Sequence, residues 1–387
     1  MKIAIVTPGG VDRSGTERVI PCLLWHVERL VQSGDDVHIF ALRQETEAGH
    51  WALLGAQVHN AGGTYGIARG LRTLGQILEE HRRAPIDVIH ALWAVPQGML
   101  AAVACKMLDI PVLLHLPGGD LANLPAIGYG GRFTLKGRIG LRIAVLGADR
   151  VAAPSAIMVR DASELGIPAE RMPFGVALDG WPVAPPRRRP ESTPATLLHV
   201  ADLSPVKDQE TLLMAAFHLR AREIPFVLQI VGKDGLHGAI QRRADQLGLG
   251  DCVHFTGFLP QDALKQCMVS ADLLIVTSMH EAGPIVAREA AAAGVPTVGT
   301  NVGLLAEWAP MAARVIKCGD SMALADEIAG LLSHEDERLL LAARAQEKTI
   351  AEDADATTSR IRGVYAELVS KREARTRRRA LNREVRS

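Results

Sequence analysis

The chain has 387 residues, 48 % apolar and only 4 % aromatic, with 43 basic side chains against 43 acidic ones. That length calls for two domains with sizeable cores, and the balanced charge excludes a nucleic-acid partner. No run of about 18 apolar residues occurs and the first apolar run is too short for a signal peptide, so a cytoplasmic chain without a membrane span is expected.

The N-terminal half reads as strands alternating with helices. KIAIVT (2–7) is a buried strand, and PGGVDRSG (8–15) is a glycine-rich loop that suits either a tight turn or a ligand loop. A helix follows with apolar positions Val19, Leu23, Val27 and Leu30, near the 3.6 period. Ser14 and Glu17 have the spacing of a capping box, and Pro21 is expected to delay or kink the helix start. DVHIFAL (36–42) is the next strand. Helices are predicted over 67–83, 96–108, 134–147 and 156–165, and strands over 86–91, 111–116 and 149–155. Such alternation means a mostly parallel sheet with right-handed crossovers. The segment WPVAPPRRRPESTP (181–194) breaks the pattern with five prolines and three arginines. It reads as an interdomain linker, its arginines being either a solvated face or a phosphate or membrane patch.

A second series begins with TLLHVADL (196–203) and alternates to RVIKC (314–318), followed by helices over 320–333, 335–349 and 355–371. The predicted division is 1–180 for the first domain, 181–195 for the linker and 196–350 for the second domain. A C-terminal helix covers 351–370, its return to the first domain being open, and a basic tail covers 371–387. That tail carries eight Lys/Arg and two Glu. It is either a frayed charged terminus or a weak peripheral contact with anionic lipid. The five scattered cysteines lack C-x-x-C spacing, so neither a disulfide framework nor a metal site is predicted.

Chemistry concentrates in TSMHEAGPIVAREAAAAGVPTVGT (277–300). A strand runs into a loop. Pro284 suits a first helical position, a small-residue helix follows, and Gly294 ends it. Glu281 lies in the loop and Glu289 inside the helix. The helix start offers free N–H groups to a phosphate, and the two carboxylates could accept from hydroxyls at either end of one ligand. Eight residues of helix span on the order of 12 Å, about the length of a sugar–diphosphate–ribose unit. The alternative is a pair of solvated surface glutamates, against which the run of alanines at 290–293 argues.

Ser278, Glu281, Gly283, Glu289, Ala290, Gly294 and Pro296 form S-x-x-E-x-G-x5-E-A-x3-G-x-P, which resembles the donor-site signature of family 4 of the retaining glycosyltransferases. The resemblance spans nearly the whole chain to about residue 370 and is strongest over 196–308. It implies an α/β chain of the GT-B fold, two Rossmann-like parallel-sheet domains facing across a cleft. It implies that a sugar moves from a nucleotide-diphosphate donor to a hydroxyl of a glycan, lipid-linked or small-molecule acceptor, with retention and with no metal or other cofactor. Glu281 would contact the donor sugar as a catalytic residue and Glu289 the ribose. Gly283, Pro284 and Ile285 would present backbone to the phosphates, and Lys207 would hold the diphosphate unless it is an ordinary exposed lysine. Gly10 and Gly15 would let substrate approach the backbone. Two departures stand out. Asp202 replaces the arginine usual five residues before the lysine, and Pro117 replaces a histidine near the reacting carbon. His115, two residues earlier on the same strand face, is either its substitute or a core residue. Gly118, Gly119 and Asp120 are the acceptor-side candidates. The rival readings are a nucleotide-sugar epimerase and a non-catalytic nucleotide-sugar-binding protein.

Overall fold

The computed structural model describes residues 1–63, 66–190 and 193–384. Two compact units emerge. The first holds Met1–Pro154, Met158–Phe174 and the chain from Ala354 onward; the second holds Ser155–Ile157 and Gly175–Asp353.

The first unit opens with β1 (Lys2–Thr7), buried throughout, and α1 (Pro21–Gln32). Pro21 is the first helical residue, so it starts α1 and does not kink it. Ser14 and Glu17 lie ahead of the helix in a turn, where the Ser14 hydroxyl accepts from the Glu17 amide (3.0 Å), and no capping box forms. There follow β2 (Asp36–Ala41), β3 (Gly49–Leu53), β4 (Ala56–Asn60), α2 (Ile67–Arg83), β5 (Val88–Leu92), α3 (Met99–Leu108), β6 (Val112–His115), α4 (Leu135–Leu146), β7 (Arg150–Ala153), α5 (Ala156–Glu164) and β8 (Ala169–Arg171). The sheet order is β3-β4-β2-β1-β5-β6-β7-β8. All neighbours are parallel except the β3–β4 hairpin at the edge. Sequence reading missed that hairpin because its residues show no sustained alternation.

The second unit contains β9 (Ala195–Val200), α6 (Gln209–Ala221), β10 (Phe226–Val231), α7 (Ala239–Gln246), β11 (Val253–Gly257), α8 (Gln261–Ser270), β12 (Leu273–Val276), α9 (Ile285–Ala292), β13 (Thr297–Thr300), α10 (Gly303–Trp308), β14 (Arg314–Ile316), α11 (Ser321–Ser333) and α12 (Glu335–Ala351). Its six strands are all parallel in the order β11-β10-β9-β12-β13-β14. The connection reverses direction between β9 and β12. In doubly wound sheets a crevice opens at that point, beyond the carboxyl ends of the two strands.

Arg187 and Arg188 are exposed, as a solvated face requires, and all three arginines also bond to the second unit. Arg187 pairs with Asp272 (3.0 Å) and Arg188 with Asp336 (2.5 Å), while the Arg189 amide donates to Glu335 (2.7 Å). Finally α13 (Ala354–Glu384) joins the first unit. Ile361, Val364, Tyr365 and Leu368 enter its core beside β1, α1 and β5; each such burial contributes about 1.5–3 kcal/mol. The basic tail is helical to residue 384, not frayed. Two of its cations reach carboxylates of the same unit, Arg372 to Asp109 (3.7 Å) and Arg375 to Asp149 (3.6 Å). No helix among the described residues is long and apolar enough to cross a membrane.

Candidate functional site

The loops leaving β9 and β12 meet at the switch point of the second sheet. The Met279 amide donates to the Val206 carbonyl (2.7 Å), and the Thr277 hydroxyl donates to the Lys207 carbonyl (2.9 Å). This stitching brings Lys207 Nζ to 2.5 Å from Glu281 Oε1, which also accepts from the Ser278 hydroxyl at 2.6 Å. The Lys207 and Glu281 side chains are 28 % and 14 % exposed, so both remain open to solvent. A solvent-exposed ion pair contributes little to stability, about 0–1 kcal/mol. What the contact does is hold a cation and a carboxylate together at the crevice. Gly303 backs the Glu281 loop: its φ is +48°, and a Cβ there would run into the carbonyls of Glu281 and Ala282.

Pro284 precedes α9 as its N-cap, one position earlier than expected, and has extended backbone (φ −61°, ψ 111°). No side chain caps α9, so its first amides are available at the positive end of the helix. Gly283 and Ile285 are half-buried, and Pro284 is buried. The helix ends as predicted. Gly294 has φ +73°, its amide donates to Ala291, and the Val295 amide donates to Ala290, a Schellman closure. The buried Trp181 indole donates to the Glu289 carbonyl (2.8 Å), so the chain before β9 clamps α9 from outside.

Glu289 itself is 4 % exposed. Burial pushes its carboxyl up to about 8, with no hydrogen bond or neighbouring charge to offset the desolvation. A buried acid without a compensating protein group is costly to keep.

Asp202 is turned to another task. Its carboxylate accepts from the Lys233 amide (2.8 Å) and fixes the glycine turn after β10. At that turn Gly232 has φ +150°, and a Cβ would strike the Ala201 carbonyl. Lys233 Nζ lies 4.9 Å from the centre of the Phe258 ring. Beneath the site the buried His199 donates through Nδ1 to the Ile275 carbonyl (2.9 Å), and burial lowers its pKa to about 4. His199 carries no motif spacing, which is why sequence reading gave it no role.

The first unit corrects several expectations. His115 is a core residue: it has no exposed surface and stacks on Phe174 (4.6 Å) and His90 (5.5 Å). Burial lowers its pKa to about 3. The period-2 argument placed it on the right strand face, but that face is sealed. Gly10 has φ +82°, its Cβ direction is filled by Ile20, and its amide and that of Val11 donate to Gln44 Oε1 (2.7 and 2.9 Å). Gly15 is a turn residue, φ +68°, donating to Asp12. These contacts fix the loop's shape, and Gly10 and Gly15 stay half-exposed. Gly118 and Gly119 are required by neighbours, since Cβ atoms there would meet Trp93 Nε1 (2.5 Å) and the Tyr129 hydroxyl (2.7 Å). Asp120 is 7 % exposed, and one oxygen accepts from the Ala94 amide (2.7 Å). Burial raises its pKa to about 6. It fastens the Trp93–Ala94 turn, where Trp93 has φ +69°, and does not present its carboxylate to solvent.

Among the described residues, His38, His59 and Glu80 could approach one metal ion. Their spacing gave no motif in the sequence. Lys2 Nζ already stands 2.7 Å from Glu80, where it supplies the positive charge.

Comparison with known proteins bears on the family and the fold. The family profile described as Glycosyl transferases group 1 matches residues 184–348, and Glycosyl transferase 4-like domain matches 19–174. The N-acetyl-alpha-D-glucosaminyl L-malate synthase of Bacillus anthracis is 26 % identical over 292 residues, 72 % of this chain and 73 % of that protein. The sucrose-phosphate synthase structure from Thermosynechococcus elongatus superposes with a TM-score of 0.79 at 18 % identity, covering 96 % of this chain and all of the other. The Anabaena protein HepE, solved in complex with UDP-glucose, gives a TM-score of 0.71 at 18 % identity over 95 % of this chain and 100 % of its own.

Proposed function

The chain belongs to the group 1 glycosyltransferases and has their GT-B fold, and from that membership we propose that it transfers a sugar from a nucleotide-diphosphate sugar to an acceptor hydroxyl with retention at the anomeric carbon. The observation that carries the reading is the cluster at the β9/β12 switch point. There Lys207, Ser278 and Glu281 share one hydrogen-bonded contact, and an uncompensated Glu289 lies one helix turn and more into α9.

In this reading the diphosphate lies across the start of α9, between Lys207 and the amides at Gly283–Ile285. The ribose hydroxyls donate to Glu289, and the donor sugar hydroxyls donate to Glu281. In the chemical step the bond from the anomeric carbon to the diphosphate oxygen breaks. The acceptor oxygen bonds to the same face of that carbon, and its proton leaves with the diphosphate. Lys207 and the helix amides stabilise the charge that develops on the leaving group, without a divalent metal. A nucleotide sugar in the relative HepE and the donor signature in this chain both support the donor class.

The test is nucleotide diphosphate release from a panel of UDP-, GDP- and ADP-sugars with and without acceptors, repeated in EDTA. Release that depends on an acceptor and persists in EDTA is expected. Isomerisation of the donor with no acceptor present would move the assignment to an epimerase.

A further inference from the structure

The helices of the first unit leave much apolar surface bare. Of eighteen large apolar side chains exposed among the described residues, ten fall between Ile67 and Leu146. The exposure is therefore concentrated on α2, α3, α4 and the loops joining them. Ile67 is 84 % exposed and Leu71 63 %. Contiguous apolar surface of this kind marks an interaction site.

Part of that surface is a groove of about 950 Å³, walled by Ile67, Leu71 and Leu74 of α2 and by Met99, Leu100 and Val103 of α3. Its size lies in the range of small-molecule sites, about 300–1,000 Å³. Among the described residues no carboxylate lines it, and its charged residues are Arg43 and Arg69. Those two arginines also line an adjoining polar depression together with Arg18, whose charge is taken up by Asp12. The carboxylates there are Glu45 and Glu47, and Glu45 is paired with Arg13 (2.9 Å). A hydrocarbon-lined trough thus runs into a basic corner. Trp93 lines the trough as well, and its indole packs on Gly118 of the loop fastened by Asp120. The trough is therefore continuous with the segment at the carboxyl ends of β5 and β6.

Resting on the glycosyl-transfer reading, we propose that this groove binds the acceptor, and that the acceptor is an amphiphile: a hydrocarbon chain in the α2–α3 trough with an anionic headgroup at Arg43 and Arg69. The charge pattern selects this occupant. A neutral small sugar would leave the apolar walls uncovered, and an acidic ligand without a chain would leave the trough empty.

The probe is farnesyl phosphate below its critical micelle concentration, measured by equilibrium dialysis against the full chain, with farnesol and inorganic phosphate as separate arms. Farnesyl phosphate is expected to bind saturably, one per chain. Each partial probe is expected to bind at least about tenfold more weakly, since either the apolar burial or the charge-assisted contact is lost. Leu71→Glu places a charge in the wall at an exposed position that folding tolerates, and is expected to weaken farnesyl phosphate by about tenfold or more. Absence of saturable binding, or equal binding by Leu71→Glu, would overturn the proposal. So would inorganic phosphate binding as tightly as farnesyl phosphate, or self-association of the chain without amphiphile that Leu71→Glu abolishes. Flotation with phosphatidylglycerol vesicles that Ile139→Asp abolishes, with no farnesyl phosphate bound, would assign the surface to a bilayer instead and overturn it too. Calorimetry with UDP, GDP and ADP on the same preparation separates the two ideas. Nucleotide binding without farnesyl phosphate binding overturns the groove alone, whereas loss of both overturns the reading beneath it.

Discussion

Single side chains at the switch point make separable contributions. Lys207 donates to Glu281 in the unliganded protein and is the side-chain cation assigned to the diphosphate. Charge-assisted hydrogen bonds contribute about 1.5–3 kcal/mol, so Lys207→Ala should weaken nucleotide-sugar binding by roughly 10- to 100-fold. Lys207→Arg should retain part of the affinity; calorimetry on the three proteins decides. Glu289 gives a prediction with a sign. Its folded pKa, about 8, lies above the ordinary 4.5. Between those values the unfolded chain releases a proton that the folded chain keeps, so this group lowers stability as pH rises from about 4.5 to 8. Glu289→Gln should match the wild type in thermal melts near pH 5 and exceed it near pH 8, while losing about tenfold in nucleotide-sugar affinity. A variant less stable than the wild type at pH 8 would contradict the burial argument. That Glu281 lies in the loop before α9 and Glu289 inside the helix was legible in the sequence, from the spacing of loop, helix and strand. The side-chain direction of Asp202 was not, since nothing in LSPVK says that its carboxylate turns to the Lys233 amide.

At the scale of elements, the periodic signals held. The parallel strands and the helices of both units follow from apolar runs and their punctuation, and the Gly294 closure from one residue. The sequence missed what depends on pairing partners. The β3–β4 hairpin is an edge feature, and α10 is a six-residue helix inside what reads as a turn. The strapping of Arg187, Arg188 and Arg189 needs acidic partners up to about 150 residues away in sequence, invisible to any local pattern. The start of α10 also carries a prediction. Gly303 combines a positive φ with carbonyls crowding its Cβ direction. Gly303→Ala should destabilise the protein by about 1–3 kcal/mol and loosen the Glu281 loop. Denaturant midpoints and nucleotide-sugar affinity should fall together, and an unchanged midpoint would show that the loop yields without cost.

For the whole molecule, the cores were predictable in kind but not in content. The first unit buries His26, His90 and His115 with Tyr365 and Phe174. His26 binds the hydroxyls of Thr358 (3.0 Å) and Tyr365 (3.1 Å), which ties α13 to α1. Burial lowers all three histidines, His26 and His115 to about 3 and His90 well below its ordinary value. Above pH 6.5 they are neutral in both states. As pH falls below 6.5 the unfolded chain takes up protons that the folded chain refuses, so stability drops by up to about 1.4 kcal/mol per histidine per pH unit. Glu289 and Asp120, both raised by burial, act the other way in the same window, but His199 is lowered too and adds to the three histidines, so the urea midpoint should fall from pH 7 to pH 5. His115→Phe should flatten that slope and leave nucleotide binding intact; an unchanged slope would mean that water reaches this core.

The central claim, that the β9/β12 switch point binds a nucleotide-diphosphate sugar for transfer, is tested most directly by nucleotide diphosphate release across a donor panel, comparing the wild type with Lys207→Ala and Glu281→Gln. Release from at least one donor, dependent on an added acceptor and reduced by both substitutions, is predicted. A folded wild-type protein that neither binds nor cleaves any donor in the panel would contradict it.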